Sequence, residues 1–586
     1  MNERTKTGLQ ILQVAVILGV LGDVLLRAMP WGLNVLLFNM AFAGGMIMLL
    51  RRRAPEYLTG QTLSLFAAQV FFASMFVWRD SIELRLADTA AIVLILSVLV
   101  LPKMKVTTQL AGVFHYAAGF VWSGLHAIGA PFLLVFNDVE WPALPREGWR
   151  KHAFSVVRGL AVAAPLIFIF GALFMAADAA YEGLVQRVFN IKPETVVTHV
   201  LMFSIFAWMS AGYLRGVLMV PVGQRAAAKT ETAETVQNPE SKFERVARES
   251  GEYPVTLPDN LSVVEHLNIS DPPNKQAETR PVGSLPSFEK NQPKQWEWAD
   301  IDNTLMPPAF TLGTVEIGVI LGLTNLLFLS FVIVQVPYLF GGMDLVQNTP
   351  DFKLAEYARR GFGELVTVSA LVLPILLASH WLIKKENPTT QKLFRILAGI
   401  QIALLFVIMA SAAQRLLLLT GNLGYGLTTI RLYPMIFMMW LALVFIWFGM
   451  TVLRGARQHF AWGALWSAFL ILGATHVLNP DAFIVKTNIA LAQQGREFDA
   501  GYNSNLSNDA TPVLINSFDA LTEHDQQVVI RRIAKRYCEN RNESDLRSWN
   551  FSRSQASNIL ESNHLFVNEI GNCDTKTFAY SRVDEF

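Results

Sequence analysis

Long apolar runs separated by short polar connections make up most of the chain. A helix needs about 20 predominantly apolar residues to cross the hydrocarbon core of a bilayer. Runs of this kind predict eleven membrane-spanning helices that contain few charged residues. They lie near residues 8–26, 31–50, 61–78, 87–102, 154–177, 196–219, 311–336, 362–383, 393–418, 432–453 and 460–478.

A further apolar stretch, residues 109–136, has a different pattern. It contains His115, His126, a proline and several glycines, and cationic residues flank both of its ends. We interpret this stretch as a re-entrant or interfacial pair of short helices, whose two ends lie on the same side of the membrane. A single span is the alternative, and it would invert the orientation of everything that follows.

Lysines and arginines at the span ends predict the orientation of the chain. They are concentrated near the N-terminus and directly after the second, fourth, eighth and tenth spans, and such residues are enriched in cytoplasmic loops. With eleven spans, we expect the N-terminus in the cytoplasm and the C-terminal segment in the periplasm. The residues concerned are Arg4, Lys6, Arg51, Arg52, Arg53, Lys103, Lys105, Lys384, Lys385, Arg454 and Arg457.

The composition agrees with a membrane protein. Of the 586 residues, 52% are hydrophobic and 16% are charged, whereas soluble domains have about 45–50% and about 25%. This excludes an ordinary cytosolic enzyme, and a net charge of +1 gives no general attraction for nucleic acid. We expect an all-α fold, a polytopic transmembrane helix bundle in a bacterial inner (cytoplasmic) membrane, with the lipid bilayer as its partner and no nucleic acid.

Two polar segments divide the chain. Residues 222–308 are rich in proline, glutamate, asparagine and serine, which predicts a largely disordered cytoplasmic linker. Residues 479–586 predict a small helical soluble domain. The segments 1–221 and 309–478 then contain the N-terminal and the C-terminal membrane helices.

Local signals in the tail predict helices. Asn479 is a candidate N-cap with Pro480 at the first helical position, and Thr522 is a candidate cap for a helix with Val529 and Ile533 on its apolar face. The other face of that helix is basic and is expected to be solvated. It carries Arg531, Arg532, Lys535 and Arg536.

The two cysteines of the chain, Cys538 and Cys573, both lie in this tail. A pair confined to one soluble segment suits a disulfide in an oxidising compartment. Two unrelated free thiols are the alternative.

Polar and ionisable groups gather at the predicted outer ends of the spans, where their cost makes them candidates for function. Glu356 and Arg360 are four residues apart, as are Arg360 and Glu364, so they can form a ladder of ion pairs. We predict that Glu356 and the arginines of this set converge at one outer-facing place. A satisfied network that joins helix ends is the favoured role of these groups, and an anion or proton site is the alternative. The candidates are Asp178, Gln335, Tyr338, Glu356, Arg359, Arg360, Glu364, Gln414, Arg415, Tyr425, Thr428 and Arg431.

The sequence lacks the motifs that would define an enzyme, namely a Walker loop, a G-x-S-x-G elbow, H-E-x-x-H and C-x-x-C. His115 and His126 have no carboxylate spaced to join them as a metal site. We interpret Asp499, Ser507 and Asp509 as cap and turn residues. No catalytic residue, metal or cofactor is expected.

Several segments resemble a bacterial membrane family, domain of unknown function 4173, which is allied to 4153. They are VQVPYLFGG, AEYARRGFGEL, YGLTTIRLY, NPDAFIVKTNIALA, LSNDATPVL and LRSWNFSRSQA. The resemblance covers most of the chain from about residue 100, with the linker as a variable insert. It implies an integral inner-membrane protein and transfers no activity and no catalytic residues.

Three functions remain open at this stage. The favoured one is a membrane scaffold or sensor with an outer polar network and a periplasmic helical tail that meets an envelope protein. The second is a transporter or channel-like protein that uses the Glu/Arg cluster. The third is a membrane enzyme that acts on lipid or envelope precursors, and the absence of a nucleophile or metal motif counts against it.

Overall fold

The computed structural model describes residues 2–141, 193–219, 311–340, 362–383, 388–417, 420, 426–540 and 545–566. Within these ranges the secondary structure is helical, apart from an isolated β-bridge between Leu312 and Ile383. The membrane helices are α1 (Glu3–Leu26), α2 (Leu33–Arg53), α3 (Gly60–Trp78), α4 (Ile82–Leu99), α5 (Val113–Leu133), α6 (Pro193–Leu218), α7 (Thr314–Phe340), α8 (Phe362–Leu382), α9 (Pro388–Leu417), α10 (Thr429–Thr451) and α11 (Phe460–Leu478). The tail adds α12 (Pro480–Gln493), α13 (Ala500–Asn505), α14 (Thr511–Asn516), α15 (Glu523–Asn540) and α16 (Phe551–Ser562).

Eleven helices of the described residues are long and apolar enough to cross a membrane. Helices are the natural form for such segments, because the backbone bonds all its polar groups within the segment. The chain is an integral multi-pass membrane protein, and the prediction of an all-α bundle is confirmed. Ten predicted spans coincide with these helices, whereas the span predicted over 154–177 lies outside the described residues.

The helix ends fall into two groups, because sequence neighbours run antiparallel. At one end, Glu3 of α1 pairs with Arg53 of α2, with 2.7 Å between Oε2 and Nη1. At the other end, Asp88 of α4 contacts His476 of α11, with 2.9 Å between Oδ1 and Nε2. We call the first the basic end, since Arg51, Arg52, Lys103 and Lys105 also lie there, and the second the tail end, since the tail helices follow α11 there.

Helix α5 replaces the predicted pair of short helices. It is a single helix of 21 residues that continues into a π-helical turn, Leu134–Asp138, so the prediction of two helices is wrong. The glycines that suggested a break instead allow close packing: a Cβ at Gly119 would lie 2.5 Å from the Ser97 carbonyl of α4. Close helix contact of this kind is a common use of glycine in membrane proteins.

Both ends of α5 lie at the basic end of the bundle. Its start at Val113 follows closely on the turn Leu101–Met104 of the basic end, and there the ring of Phe114 lies 4.5 Å from that of Trp381 at the end of α8. Beyond its end, Asp138 pairs with Arg4 at the start of α1 and with Arg215 at the end of α6. The helix therefore enters and leaves on one side, which is the arrangement expected for a re-entrant or interfacial segment.

The C-terminal membrane helices α7 to α11 share one apolar core. Its fully buried members include Leu321 of α7, Leu376 of α8, Ala398 of α9 and Val444 of α10. Burial of such side chains and close van der Waals packing hold these helices together.

The tail helices have a core of their own, which continues into the start of α10. Val485, Leu514 and Ile533 are buried in it, together with Leu432 of α10. The cap signals are confirmed as well: Asn479 accepts from the Ala482 N–H at 3.4 Å, and the Thr522 hydroxyl accepts from Asp525 N–H at 3.2 Å.

The chain divides into two compact units, Met1–Leu218 with Glu297–Phe586, and Met219–Trp296. All the helices above belong to the first unit. Apart from Met219, the second unit lies outside the described residues, so the predicted disorder of 222–308 stays a prediction.

Candidate functional site

The short turn between α3 and α4 is the centre of a polar network at the tail end. This turn consists of Arg79, Asp80 and Ser81. The backbone N–H groups of Asp80 and Ser81 both donate to Oδ2 of Asp509, at 2.7 and 2.9 Å. Asp509 lies just before α14 and is buried. A carboxylate in this position satisfies N–H groups at the start of α4 and interacts favourably with the helix dipole.

Asp509 also contacts three side chains, one from its own turn and two from distant parts of the chain. The Ser507 hydroxyl donates to Oδ2 at 3.1 Å, the Ser552 hydroxyl of α16 donates to Oδ1, and Arg79 Nη1 lies 3.5 Å from Oδ1. Because charge-assisted hydrogen bonds are stronger than neutral ones, this one carboxylate joins the membrane turn to two segments of the tail.

Arg79 extends the network to the end of α11. Its Nε and Nη2 donate to the carbonyl of His476 at 2.9 and 2.6 Å, and its guanidinium lies 4.4 Å from the ring centre of Trp78. The imidazole of the same His476 contacts Asp88, and both side chains are fully buried. An ionisable side chain buried among membrane helices is costly unless it is paired. Asp88 and His476 are paired with each other in this way.

Asp80 binds two arginines on the other side of the turn. Arg85 of α4 and Arg553 of α16 both donate to its Oδ1, the latter at 2.8 Å, and Asn508 Nδ2 donates to Oδ2 at 2.7 Å. Burial of the Arg553 guanidinium lowers its pKa. This ion-pair cluster gives the tail a second charged attachment to the α3–α4 turn.

A cavity of about 470 Å³ opens between this turn and the tail. Carboxylates and guanidiniums both line it, which is unusual for a site that holds only an apolar ligand. Its ionisable lining residues are Asp80, Glu83, Arg85, Asp481, Tyr502, Arg536 and Arg553.

Asp481 of α12 is the most perturbed carboxyl of the cavity. Its Oδ2 accepts from Ser507 N–H at 3.1 Å, whereas its buried Oδ1 accepts no hydrogen bond from the described residues. Burial raises the pKa of Asp481 to about 6, and the charges of Asp509 and Glu83 contribute to the rise. Perturbed carboxyls in clefts are candidates for functional sites.

Arg536 corrects the prediction of a fully solvated basic face on α15. It donates to the Leu506 carbonyl and, at 3.4 Å, to the Thr511 hydroxyl, and it lines the cavity. Burial lowers the pKa of its guanidinium. Arg531, Arg532 and Lys535 of the same helix are exposed, as expected.

The predicted outer site is only partly described. Arg415 is buried in the last turn of α9, and Arg431 of α10 donates to the Gly426 carbonyl, so neither side chain faces lipid. Glu364 is exposed in the first turn of α8, Thr428 precedes α10, and Gln414 lies next to Arg415 in α9. The convergence of this set stays a prediction, because Asp178, Glu356, Arg359, Arg360 and Tyr425, and the side chains of Gln335 and Tyr338, lie outside the described residues.

The interpretation of Asp499 and Asp509 as cap and turn residues is correct for Asp499 and incomplete for Asp509, which also bonds to Ser507 within its own turn. Asp499 caps α13, accepting from Tyr502 N–H at 2.7 Å. Asp509 in addition connects the tail with the membrane helices. The signals that could have found this site are the charged turn RDSIEL between two predicted spans and the single aspartates of NPDA and LSNDA.

A family model, Domain of unknown function (DUF4153), matches residues 66–243 and 288–517. This is more than half of the chain. The chain belongs to the DUF4153 family. The match covers the α3–α4 turn, Asp481 and Asp509, so most of the network lies within the family domain, whereas Arg536 and the motif LRSWNFSRSQA lie after it.

The expected resemblance to an uncharacterised membrane family is thereby confirmed. The sequence motifs indicated family 4173 and named 4153 as its ally. The model that matches is that of DUF4153, and its match begins at residue 66, earlier than the expected residue 100. No curated protein and no solved structure matches the chain. Within the described residues, no group of three or more His, Cys, Asp or Glu side chains could hold a metal ion.

Proposed function

We propose that this DUF4153 protein is a membrane sensor and scaffold, in which the helical tail sits on the bundle around a cavity for a small polar ligand. The observation that carries the proposal is the cavity of about 470 Å³, in whose wall Oδ1 of Asp481 accepts no hydrogen bond from any residue that the structure describes. A buried carboxylate oxygen without a donor is costly. A ligand that donates a hydrogen bond there would remove that cost.

The position of the cavity supports sensing rather than simple binding. Its walls come from the α3–α4 turn, from α12 and from α15 and α16, so one ligand contacts both the membrane helices and the tail. A ligand shifts a conformational equilibrium by as much as its affinities for the two states differ. Occupancy of this cavity would therefore change how strongly the tail is held on the bundle.

The distribution of basic residues supports an orientation for this sensor. Among the described residues, the lysines and arginines that directly flank the membrane helices are more numerous at the basic end. The positive-inside rule counts residues close to span ends and places such an end in the cytoplasm. In the proposed arrangement the protein lies in the inner membrane, the N-terminus is cytoplasmic, and the tail faces the periplasm, where it can meet an envelope protein.

Thermal unfolding of the purified full-length chain in detergent tests the ligand cavity. The probes are inorganic phosphate, glycine and glycylglycine at millimolar concentrations, which together offer anionic groups and cationic hydrogen-bond donors. A ligand that binds only the folded state raises the unfolding temperature in proportion to its occupancy. We expect a concentration-dependent rise with glycine or glycylglycine, because Asp481 requires a donor and Arg536 can receive a carboxylate.

A cavity-filling variant gives the control. Asn505 is exposed at the end of α13 and lines the cavity, so Asn505→Trp should abolish the rise without removing a buried contact. Gln555→Trp adds the same bulk at an exposed position of α16 and should keep the rise. The proposal fails if none of the probes raises the unfolding temperature of the unsubstituted chain, or if the rise persists in Asn505→Trp.

A further inference from the structure

The segment before α16 is held directly against the ends of three membrane helices. The carbonyl of Trp549 accepts from Leu33 N–H at the start of α2, at 2.9 Å, and Asn550 Nδ2 donates to the Phe76 carbonyl of α3, at 2.8 Å. The contact with the α1–α2 turn is so close that a Cβ at Gly32 would lie 2.3 Å from the Trp549 carbonyl. The height of this segment relative to the bundle is therefore fixed.

The segment before α16 lies at the level where the membrane-spanning helix α1 ends. Arg547 donates through Nη1 to the carbonyl of Val24, a residue within α1 and not in the loop after it. Val24 is itself exposed on the outside of the bundle, as a lipid-facing residue must be. The segment around Arg547 thus lies level with the last turn of a membrane span.

Exposed apolar side chains are concentrated in this segment. Leu546 is 81% exposed, and Trp549 and Phe551 are exposed by 42% and 46%. The neighbouring α1–α2 turn adds exposed Met29 and Trp31. In water these side chains would be unfavourable, and tryptophan is the residue most typical of the membrane–water interface.

We propose that Leu546, Trp549 and Phe551 insert into the interfacial layer of the bilayer at the tail end, so that lipid anchors the tail beside the α1–α2 turn. Lipid is the occupant because the patch continues the exposed surface of α1 at the level of Val24. The ion pair between Asp545 and Arg547, with 2.5 Å between Oδ2 and Nη2, can remain among the headgroups while the apolar side chains enter the layer below.

Site-directed quenching in lipid vesicles tests this anchor. Leu546→Cys in the full-length chain is labelled with an environment-sensitive fluorophore and reconstituted in phosphatidylcholine, with or without lipid brominated in the upper part of its acyl chains. We expect the brominated lipid to quench the label strongly and aqueous iodide to quench it weakly. Phe551→Cys should behave in the same way, so the result does not depend on one variant.

The matched control is Lys535→Cys on α15, where the native side chain is 51% exposed. Iodide should quench this label and brominated lipid should not. The unsubstituted chain, taken through the same labelling without reductant, gives the background from the native cysteines. Iodide quenching at Leu546 and Phe551 equal to that at Lys535 would overturn the proposal, and so would protection from both quenchers, because a protein partner would then cover the patch.

Discussion

Asp509 is the residue on which the junction between bundle and tail depends most. Its carboxylate accepts from two backbone N–H groups, two serine hydroxyls and an arginine while buried. Asp509→Ala leaves the N–H groups of Asp80 and Ser81 without this acceptor, and each hydrogen bond to a charged group contributes about 1.5–3 kcal/mol. We expect a loss of about 3 kcal/mol or more in the free energy of unfolding, measured as a lower unfolding temperature in detergent.

The control for this change is Asp519→Ala, because Asp519 is an exposed aspartate of the same tail. An exposed substitution away from such contacts usually changes the free energy of unfolding by less than about 0.5 kcal/mol. Equal unfolding temperatures for the two variants would show that the network around Asp509 does not hold the tail.

Asp481 gives the junction a pH dependence. Its pKa is raised by burial from 3.8 to about 6, so between these values the folded state binds a proton that the unfolded state has lost. By linkage, its contribution to stability falls as the pH rises from about 4 to about 6 and is constant above that range. A shift of this size corresponds to about 3 kcal/mol.

Asp481→Asn removes this titration, because the amide stays neutral. Unfolding temperatures of the variant and the unsubstituted chain should be close near pH 4, and the variant should become the more stable one between pH 4 and pH 7. Asp519→Asn should show no such divergence. A constant difference between Asp481→Asn and the unsubstituted chain over this pH range would contradict the assigned pKa.

The sequence could not reveal these residue roles, because the partners are far apart in the chain. Asp509 and Asp80 are separated by 429 residues, and within its own segment Asp509 has the neighbours of an ordinary turn residue. Asn479 and Thr522 were predicted correctly because an N-cap bonds within its own helix. Local chemistry is readable from a sequence, whereas a contact between a membrane turn and a distant tail is not.

At the scale of elements, α5 shows what hydropathy determines and what it leaves open. Its length and composition suit a membrane span, yet Phe114 and Asp138 both contact helix ends at the basic end. An apolar helix can lie among neighbouring helices at any tilt, and packing sets that tilt. The prediction of a shared side came from flanking charges, and the wrong prediction of two helices came from treating glycine as a helix breaker.

Cysteine accessibility tests the path of α5. Thr107→Cys and Glu140→Cys place thiols at exposed positions on either side of it. In intact cells or right-side-out vesicles, a membrane-impermeant maleimide should label neither, and in inside-out vesicles it should label both. Lys535→Cys in the tail should show the opposite pattern. Labelling of Thr107→Cys and Glu140→Cys from opposite sides would show that α5 crosses the membrane.

At the scale of the whole molecule, the contacts place the start of α1 and the end of α11 at opposite ends of the bundle. Glu3 lies beside Arg53, whereas His476 lies beside Asp88, and α1 to α4 alternate between these two ends. The sequence predicted this relation from an odd number of spans. The structure reaches it through the pairing of helix ends, independently of the span predicted over 154–177.

The lysines and arginines that flank the membrane helices at the basic end predict on which side of the membrane the tail lies. If the basic end is cytoplasmic, alkaline phosphatase fused after Phe586 should be active, and a green fluorescent protein in the same place should be dark. Fusions after Arg53, at the basic end, should give the reverse.

Because the tail would then be in an oxidising compartment, Cys538 should pair with Cys573. A bulky maleimide should modify the full chain only after reduction, and Cys573→Ser should make Cys538 reactive without it. An inactive phosphatase fusion together with two reactive thiols would place the tail, and with it the Asp481 cavity, in the cytoplasm.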